Sequence, residues 1–422
     1  MSDTRFLQFH TLTSYSGTLL NRDDAGFAKR LPFGGADRIR VSSQCLKYHW
    51  RNHDGEHALY NMDVPRSIRS RQTFREKVAR PVVEQGYPPR LVSCAVLTMR
   101  DLILSDDRPN KTDYKDILGG EEDPLEVLDT NQVTILGEPE VRYLRDLAAD
   151  TVDGLRDELP MMWEDPEADL SGDQIEFAID AFKDISKSDL KKNLKGLSRA
   201  TGLDAAMFGR MATSDVLARG NAAVHVAHAF TTHEQQSESD YFSAVDELKQ
   251  AAEEGELGGG HINTSELTSG LFYGYVVIDV PLLVSNLESC GRDEWKEADR
   301  ELAANVAERM VHLMAIVSPG AKLGSTAPYA WSECVLAEHG SSQPRTLANA
   351  FRTPVDKQPD VLANSYRALA DHLTDLDGMY GRRTDRKISG TGPVENLAEA
   401  AEAGEPVPLA ETAKWAADRV KE

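Results

Sequence analysis

Apolar and polar residues alternate through "RFLQFHTLT" (5–13), which predicts a strand, and "VSSQCLKYHWR" then predicts a helix opening with Ser42 or Ser43 as its cap. Between them "SYSGTLLNRDDAGFAKRLPFGGADR" keeps neither period and reads as a long irregular loop. From about 64 to 199 the apolar spacing is three to four residues, predicting helices over 67–86, 88–105, 138–159 and 173–196 and marking the block as a helical insertion. Strand character returns at "MFGRMAT", "AAVHVAHAFTTH" and "SGLFYGYVVIDV", where β-branched and aromatic residues dominate. The stretch 232–268, with "SDYFSAVDELKQ" and Gly258 to Gly260, reads as a protruding arm. An amphipathic helix over 293–316 precedes the strand-like "KLGSTAPYAWSECVLAEH", and the chain from about 358 is helical, interrupted by "SGTGP". Strand, helix, strand, strand, helix, strand is an α+β order, that of a ferredoxin-like core with large inserts.

With 422 residues and 41% hydrophobic content the chain can bury a sizeable core. No window approaches eighteen uninterrupted apolar residues and the start lacks the pattern of a secretory signal, so a soluble, cytoplasmic protein with no membrane partner is expected. Cys45, Cys94, Cys290 and Cys334 form no C-x-x-C pair, so neither a disulfide framework nor a zinc ribbon is predicted. The net charge of −22 argues by itself against a nucleic-acid partner, yet its distribution changes that picture. Residues 1–80 hold fourteen Lys/Arg against eight Asp/Glu, a balance of +6, so the remainder carries −28. Much of the excess lies in 119–180, with nineteen acids against three arginines.

The basic amino-terminal part supplies the first candidate chemistry. Arg22, Lys29, Arg30, Arg38, Arg40 and Lys47 lie near Ser42 and Ser43, where a helix start offers free N–H groups and the positive dipole end to a phosphate. The same pattern also describes a capped surface helix beside a solvated basic loop. Asp23 and Asp24 admit a metal-dependent nuclease, since hard cations want clustered carboxylate oxygens, but adjacent side chains diverge and no third ligand is evident. His225, His228 and His233 read as ordinary hydrogen-bonded histidines, because on one strand His225 and His228 face opposite ways. The glycine run lacks the G-K-[ST] of a phosphate loop. Lys183, Lys187, Lys191, Lys195 and Arg199 recur every four residues, with Lys192 beside them, as one basic stripe or a solvated face. Tyr241 and Phe242 sit in the polar arm, where an aromatic folds back as an anchor or stacks against a partner.

"LNRDD", "FGG", "RIRVSSQCLK", "GRMATSD", "VAHAFTTH", "DYFSAVDEL", "SGLFYGY" and "PGAKLGSTAPY" occur in one order along the chain. Together they resemble the CasC family of backbone subunits of the type I-E CRISPR Cascade complex. The resemblance implies an RRM-like (ferredoxin-like) palm, a helical finger insertion and a thumb arm. The expected division is palm 1–58, finger 59–205, palm strands 206–231, thumb 232–270, palm 271–350 and a helical segment 351–422. It implies several copies along a guide RNA, each holding the RNA backbone while displacing bases at intervals, so that base pairing and not the protein reads the target. On this chain it points to Asn21, Arg22, Arg40, Ser42, Gln44 and Lys47 as backbone contacts and to Arg210 beside phosphate. Met211 and Phe242, with Tyr241, would be the wedges, and Lys183, Lys187, Lys191, Lys192 and Lys195 would face target DNA. Tyr48 stands where the family pattern has a second base, with Arg51 one helical turn on. The implied partners are guide RNA, target DNA, further copies of the chain and the other Cascade subunits: large subunit, small subunit, guide-processing endonuclease and guide 5′-end-capping subunit. No cofactor, metal or enzymatic activity is expected. Related type III backbone subunits cut RNA with an aspartate, which keeps a ribonuclease using Asp23 or Asp24 as the alternative.

Overall fold

The alternating amino-terminal stretch does form a strand, and a longer one than the pattern predicts, because Ser14 to Thr18 continue it in a less apolar form. The computed structural model describes residues 5–105, 107–120, 123–166, 168, 170–197, 202–210, 220–243 and 262–422. In chain order the strands are β1 (Phe6–Thr18), β2 (Arg30–Phe33), β3 (Ala36–Val41), β4 (Ser67–Ser70), β5 (Thr134–Gly137), β6 (Val224–Val226), β7 (Ala229–Thr231), β8 (Ser237–Ser243), β9 (Ile262–Asp279), β10 (Ser332–Gly340) and β11 (Asp385–Gly390). The helix α1 covers Ser43–Arg51. The chain divides into two units: Met1–Met62, Val224–Val284 and Asp293–Glu422 form the first, and Asp63–Ala223 with Ser285–Arg292 the second.

The first unit is built on an antiparallel sheet in the order β11-β10-β1-β9-β7-β3-β2, with β6 and β8 also pairing with β9. Strand alternation gives the sheet two apolar faces. Leu12, Leu271 and Tyr273 pack on one side with Tyr366, Leu369 and Leu373 of the helix Val361–Tyr380. On the other, Thr11, Thr13, Phe272 and Val276 meet Leu46 and Trp50 of α1 and Met314 of the helix Glu301–Ile316. A buried polar knot ties the first face together. The Glu338 carboxylate accepts from His10 at 3.0 Å, from Arg345 at 2.6 Å and from Arg386 at 2.8 Å.

Several elements differ from the sequence pattern. The "irregular loop" holds the hairpin β2–β3, turned by Gly34 and Gly35 at φ 64° and 80°, a left-handed pair that only glycine adopts without strain. The arm contains a strand, β8, which pairs with the first part of β9 from Ser237↔Thr268 to Ser243↔Ile262. The carboxy-terminal segment is not wholly helical, since β11 adds an edge to β10. "MFGRMAT" is not a strand where it is described: the helix Leu203–Phe208 ends at Gly209, and 206–223, expected in the palm, belongs to the second unit.

The second unit is largely helical, as its spacing predicts, around Phe74, Leu91, Val96, Leu144, Val152 and Phe182. Its first expected helix instead starts as strand β4, paired with β5. The expected 173–196 helix is two, Gly172–Lys183 and Lys187–Leu197.

Candidate nucleic-acid interface

Leu19 and Leu20 bury as the chain leaves β1, and the polar "NRDDAG" that follows has to turn at the surface. Asp23 makes the turn: one carboxylate oxygen accepts from the Ala25 N–H at 3.0 Å and the Phe27 N–H at 2.9 Å. Arg22, bridged to Ala28 by backbone pairing, is left exposed. The Lys29 N–H donates to the Asn21 carbonyl at 2.9 Å and the Arg40 N–H to the Lys29 carbonyl at 2.8 Å, which sets Lys29 and Arg40 side by side. Both line a cleft with Asp23, Phe27, Ala28 and Arg30.

The start of α1 adjoins this cleft. Asn21 Oδ1 accepts from the Ser42 N–H at 3.0 Å, Ser42 Oγ from the Cys45 N–H at 3.3 Å, and His228 Nδ1 from the Ser43 N–H at 3.0 Å. The Gln44 N–H has no acceptor among the described residues, so one dipole-end donor remains open beside the exposed Gln44 side chain. Lys47 follows on the same helix. The His228 pKa is lowered, first by burial and then by the positive charges of Arg40 and Lys29.

Arg22, Arg40, Gln44 and Lys47 are thus placed around one helix start, together with Lys29. Other candidates serve the frame. Ser42 is buried and its hydroxyl caps α1, so it holds the helix and does not present a contact; Asn21 spends its side-chain oxygen the same way. Arg38, counted with the basic loop, is fully buried and donates to the carbonyls of Thr231 and Phe351. Arg30 pairs with Glu266, whose other oxygen accepts from the Ala28 N–H. Arg51 donates back to the Lys47 carbonyl.

Arg210 requires a correction. It is 3% exposed and its guanidinium pairs with both oxygens of the fully buried Glu140, at 2.8 and 2.9 Å, in the second unit. A cation held in this way is not offered to a phosphate. Its backbone instead bridges to Gly220, with N–H to carbonyl distances of 2.9 and 3.3 Å. Met211 and Gly258 to Gly260 lie outside the described residues, as does Arg199, and so do the side chains of Lys195, Tyr241 and Phe242. The backbone of Tyr241 and Phe242 is in β8, opposite Thr264 and Asn263.

The lysine stripe is broken after Lys183, which pairs with Asp180 at 3.2 Å on the preceding helix. Lys187, Lys191 and Lys192 lie on the helix Lys187–Leu197, whose Leu190 and Leu194 are buried. Of the three histidines only His225 is on a strand; His228 lies between β6 and β7 and His233 in the bend after β7. His225 is exposed on β6, while His233 is buried, its ring bonded to the Glu234 carbonyl and the Leu271 N–H. Among the described residues no group of three His, Cys, Asp or Glu side chains is placed to hold a metal.

His228, which accepts from the Ser43 N–H at the start of α1, is the residue that sequence reasoning assigned to the background. Its signal lay in the "VAHAFTTH" run, but only the fold brings it to Ser43, 185 residues away.

Residues 7–415 match the model of the Cas family described as CT1975-like protein, and the chain belongs to that family. Its fold is similar to that of two solved chains. One, from a "CRISPR RNA-guided surveillance complex, pre-nicking", gives a TM-score of 0.70 at 23% identity, covering 98% of this chain and 100% of that one. Another, from a "CRISPR RNA-guided surveillance complex", gives 0.59 at 19%, covering 97% and 99%. No curated protein matches. Among the described residues no helix is long and apolar enough to cross a membrane.

Proposed function

We propose that this chain is a guide-RNA-binding backbone subunit of a Cascade-type CRISPR surveillance complex, of type I-E, present in several copies along the RNA. The observation that carries the reading is the pairing of Lys29 and Arg40 in one cleft beside the start of α1, with Arg22 on the adjoining turn and Lys47 on that helix, in a chain whose net charge is −22. Cations and a helix start hold phosphates without reading bases. The family match and the printed names of the similar complexes support the CRISPR surveillance-complex part of this reading. The spatial order β10-β1-β9-β7, with α1 and the helix Glu301–Ile316 in the connections, fits a ferredoxin-like palm. In this reading the β8–β9 ribbon is the base of the thumb, Met211 and Phe242 are wedges, and Lys187, Lys191 and Lys192 face target DNA.

The chain acts as a cytoplasmic, non-enzymatic scaffold beside the other Cascade subunits. Asp23 has a turn to hold, which favours this over the ribonuclease alternative. Purified with its genomic neighbours, the protein should carry repeat-flanked guide RNA; random RNA or none would refute the reading. Lys29→Ala and Lys47→Ala should each reduce the log-log salt slope of RNA binding by about 0.7, the share of one single-strand phosphate. An unchanged slope would remove that lysine from the interface.

A further inference from the structure

The segment 318–331 is tied down by several hydrogen bonds, yet it exposes two large aromatic side chains. Its ends are closed by Ser318, whose hydroxyl donates to the Ala330 carbonyl at 2.8 Å and accepts from the Ala330 N–H at 2.9 Å. The Gly320 N–H donates to His49 Nε2 of α1 at 3.3 Å, and the Ala321 N–H to the Leu19 carbonyl at 2.9 Å. A Cβ on Gly320 would lie 2.6 Å from Pro328 and 2.7 Å from Leu323, so the loop is packed upon itself. Ala327 sits in the left-handed region at φ 39°, and the Tyr329 N–H bonds back to its carbonyl at 2.7 Å.

From this frame Tyr329 and Trp331 stand out, 75% and 76% exposed. Their neighbours Ala327, Pro328 and Ala330 are too small to cover them. Neither ring stacks on another ring among the described residues. An ordered backbone that leaves two aromatic rings in water has the form of a contact awaiting its partner. The loop is anchored on α1 and on Leu19, two residues before Asn21, the elements that frame the cationic cleft. A partner lying in that cleft by its phosphates brings bases, and every base has a face that stacks.

We infer that Tyr329 and Trp331 form a stacking platform for bases of the single-stranded RNA whose backbone the α1 cleft holds; this rests on the reading of the cleft as an RNA site. The platform requires no base-edge recognition, in keeping with a groove that serves any guide.

The test compares a short unstructured oligoribonucleotide with an abasic oligomer of equal length, using the full chain and its Tyr329→Ser/Trp331→Ser variant. The wild type should prefer the intact oligomer by about tenfold or more, and the variant should lose that preference while binding the abasic oligomer as before. Photocrosslinks from 5-iodouridine RNA should map to Trp331. Equal binding of both oligomers by the wild type, or an unchanged preference in the variant, overturns the platform and leaves the cleft standing. Binding of neither oligomer by the wild type overturns the cleft reading and the platform with it. If the variant keeps its base preference but sediments as a smaller species, the rings join copies of the chain and the platform is wrong.

Discussion

Replacing Arg210 by alanine strands the Glu140 carboxylate, buried at the start of the helix Glu138–Asp153, where the Gly137 N–H also donates to it at 2.8 Å. The expected cost is about 3–5 kcal/mol, because an uncompensated buried charge is worse than no charge. Denaturant unfolding measures this, and the salt slope of RNA binding measured on the folded fraction should stay at the wild-type value. A lowered slope with full stability would return Arg210 to the phosphate role. Residue identity alone did not separate Arg210 from Arg22, since both are cations among small and polar neighbours. The separating fact is a partner 70 positions away in the chain, and no local pattern carries it. The surface placement of Arg22 and Gln44 follows from polar context and a helix start, while Arg40 and Lys47 are half-buried.

Among elements, the hairpin β2–β3 carries Arg40 to the cleft, and its turn sets a sharp test. Gly34 has φ 64°, and a Cβ there would fall 1.4 Å from the Arg352 carbonyl oxygen; Gly35 has φ 80° but no atom within 4 Å. Gly35→Ala should therefore cost only the left-handed strain, about 1–2 kcal/mol. Gly34→Ala must also push the hairpin off Arg352 and should lower thermal stability and RNA affinity by clearly more. Equal effects would mean the turn is not seated on Arg352. Elements with a long apolar period were readable, as in the helices around Phe74 and Leu91. Several short strands were not, although β6 and β7 fall within the strand-like "AAVHVAHAFTTH". β2 and β3 hold only four and six residues, with Pro32 inside β2, and β4, β5 and β11 take their ladder from partners far along the chain. β8 was hidden by "SESDYFS", whose acids and serines lack the strand signature.

For the molecule as a whole, the shifted histidines respond to pH with one sign. His10, His228, His233, His312, His339 and His372 all have pKa values lowered, first by burial. Burial alone would push Glu338 up, but hydrogen bonds from His10 and Arg345 hold it well below the usual carboxylate range. In each case the unfolded chain binds the proton more readily, so stability is complete above the ordinary histidine value of about 6.5 and declines as pH falls below it, with Glu338 adding its loss at lower pH. Urea midpoints should drop between about pH 6.5 and 5. A flat profile would mean that these rings are neutral for no energetic reason. Charge segregation was visible in the sequence, whereas this titration was not, because burial is a property of the assembled sheet. The same sheet has a mechanical corollary. β9 is a single strand of 18 residues, about 60 Å if fully extended, paired at one end with β8 and at the other with β1. A load on the ribbon thus enters the middle of the sheet in shear, borne by the whole β1 ladder at once. Peeling bonds apart one by one would need a much smaller force, and this strand geometry does not offer that route.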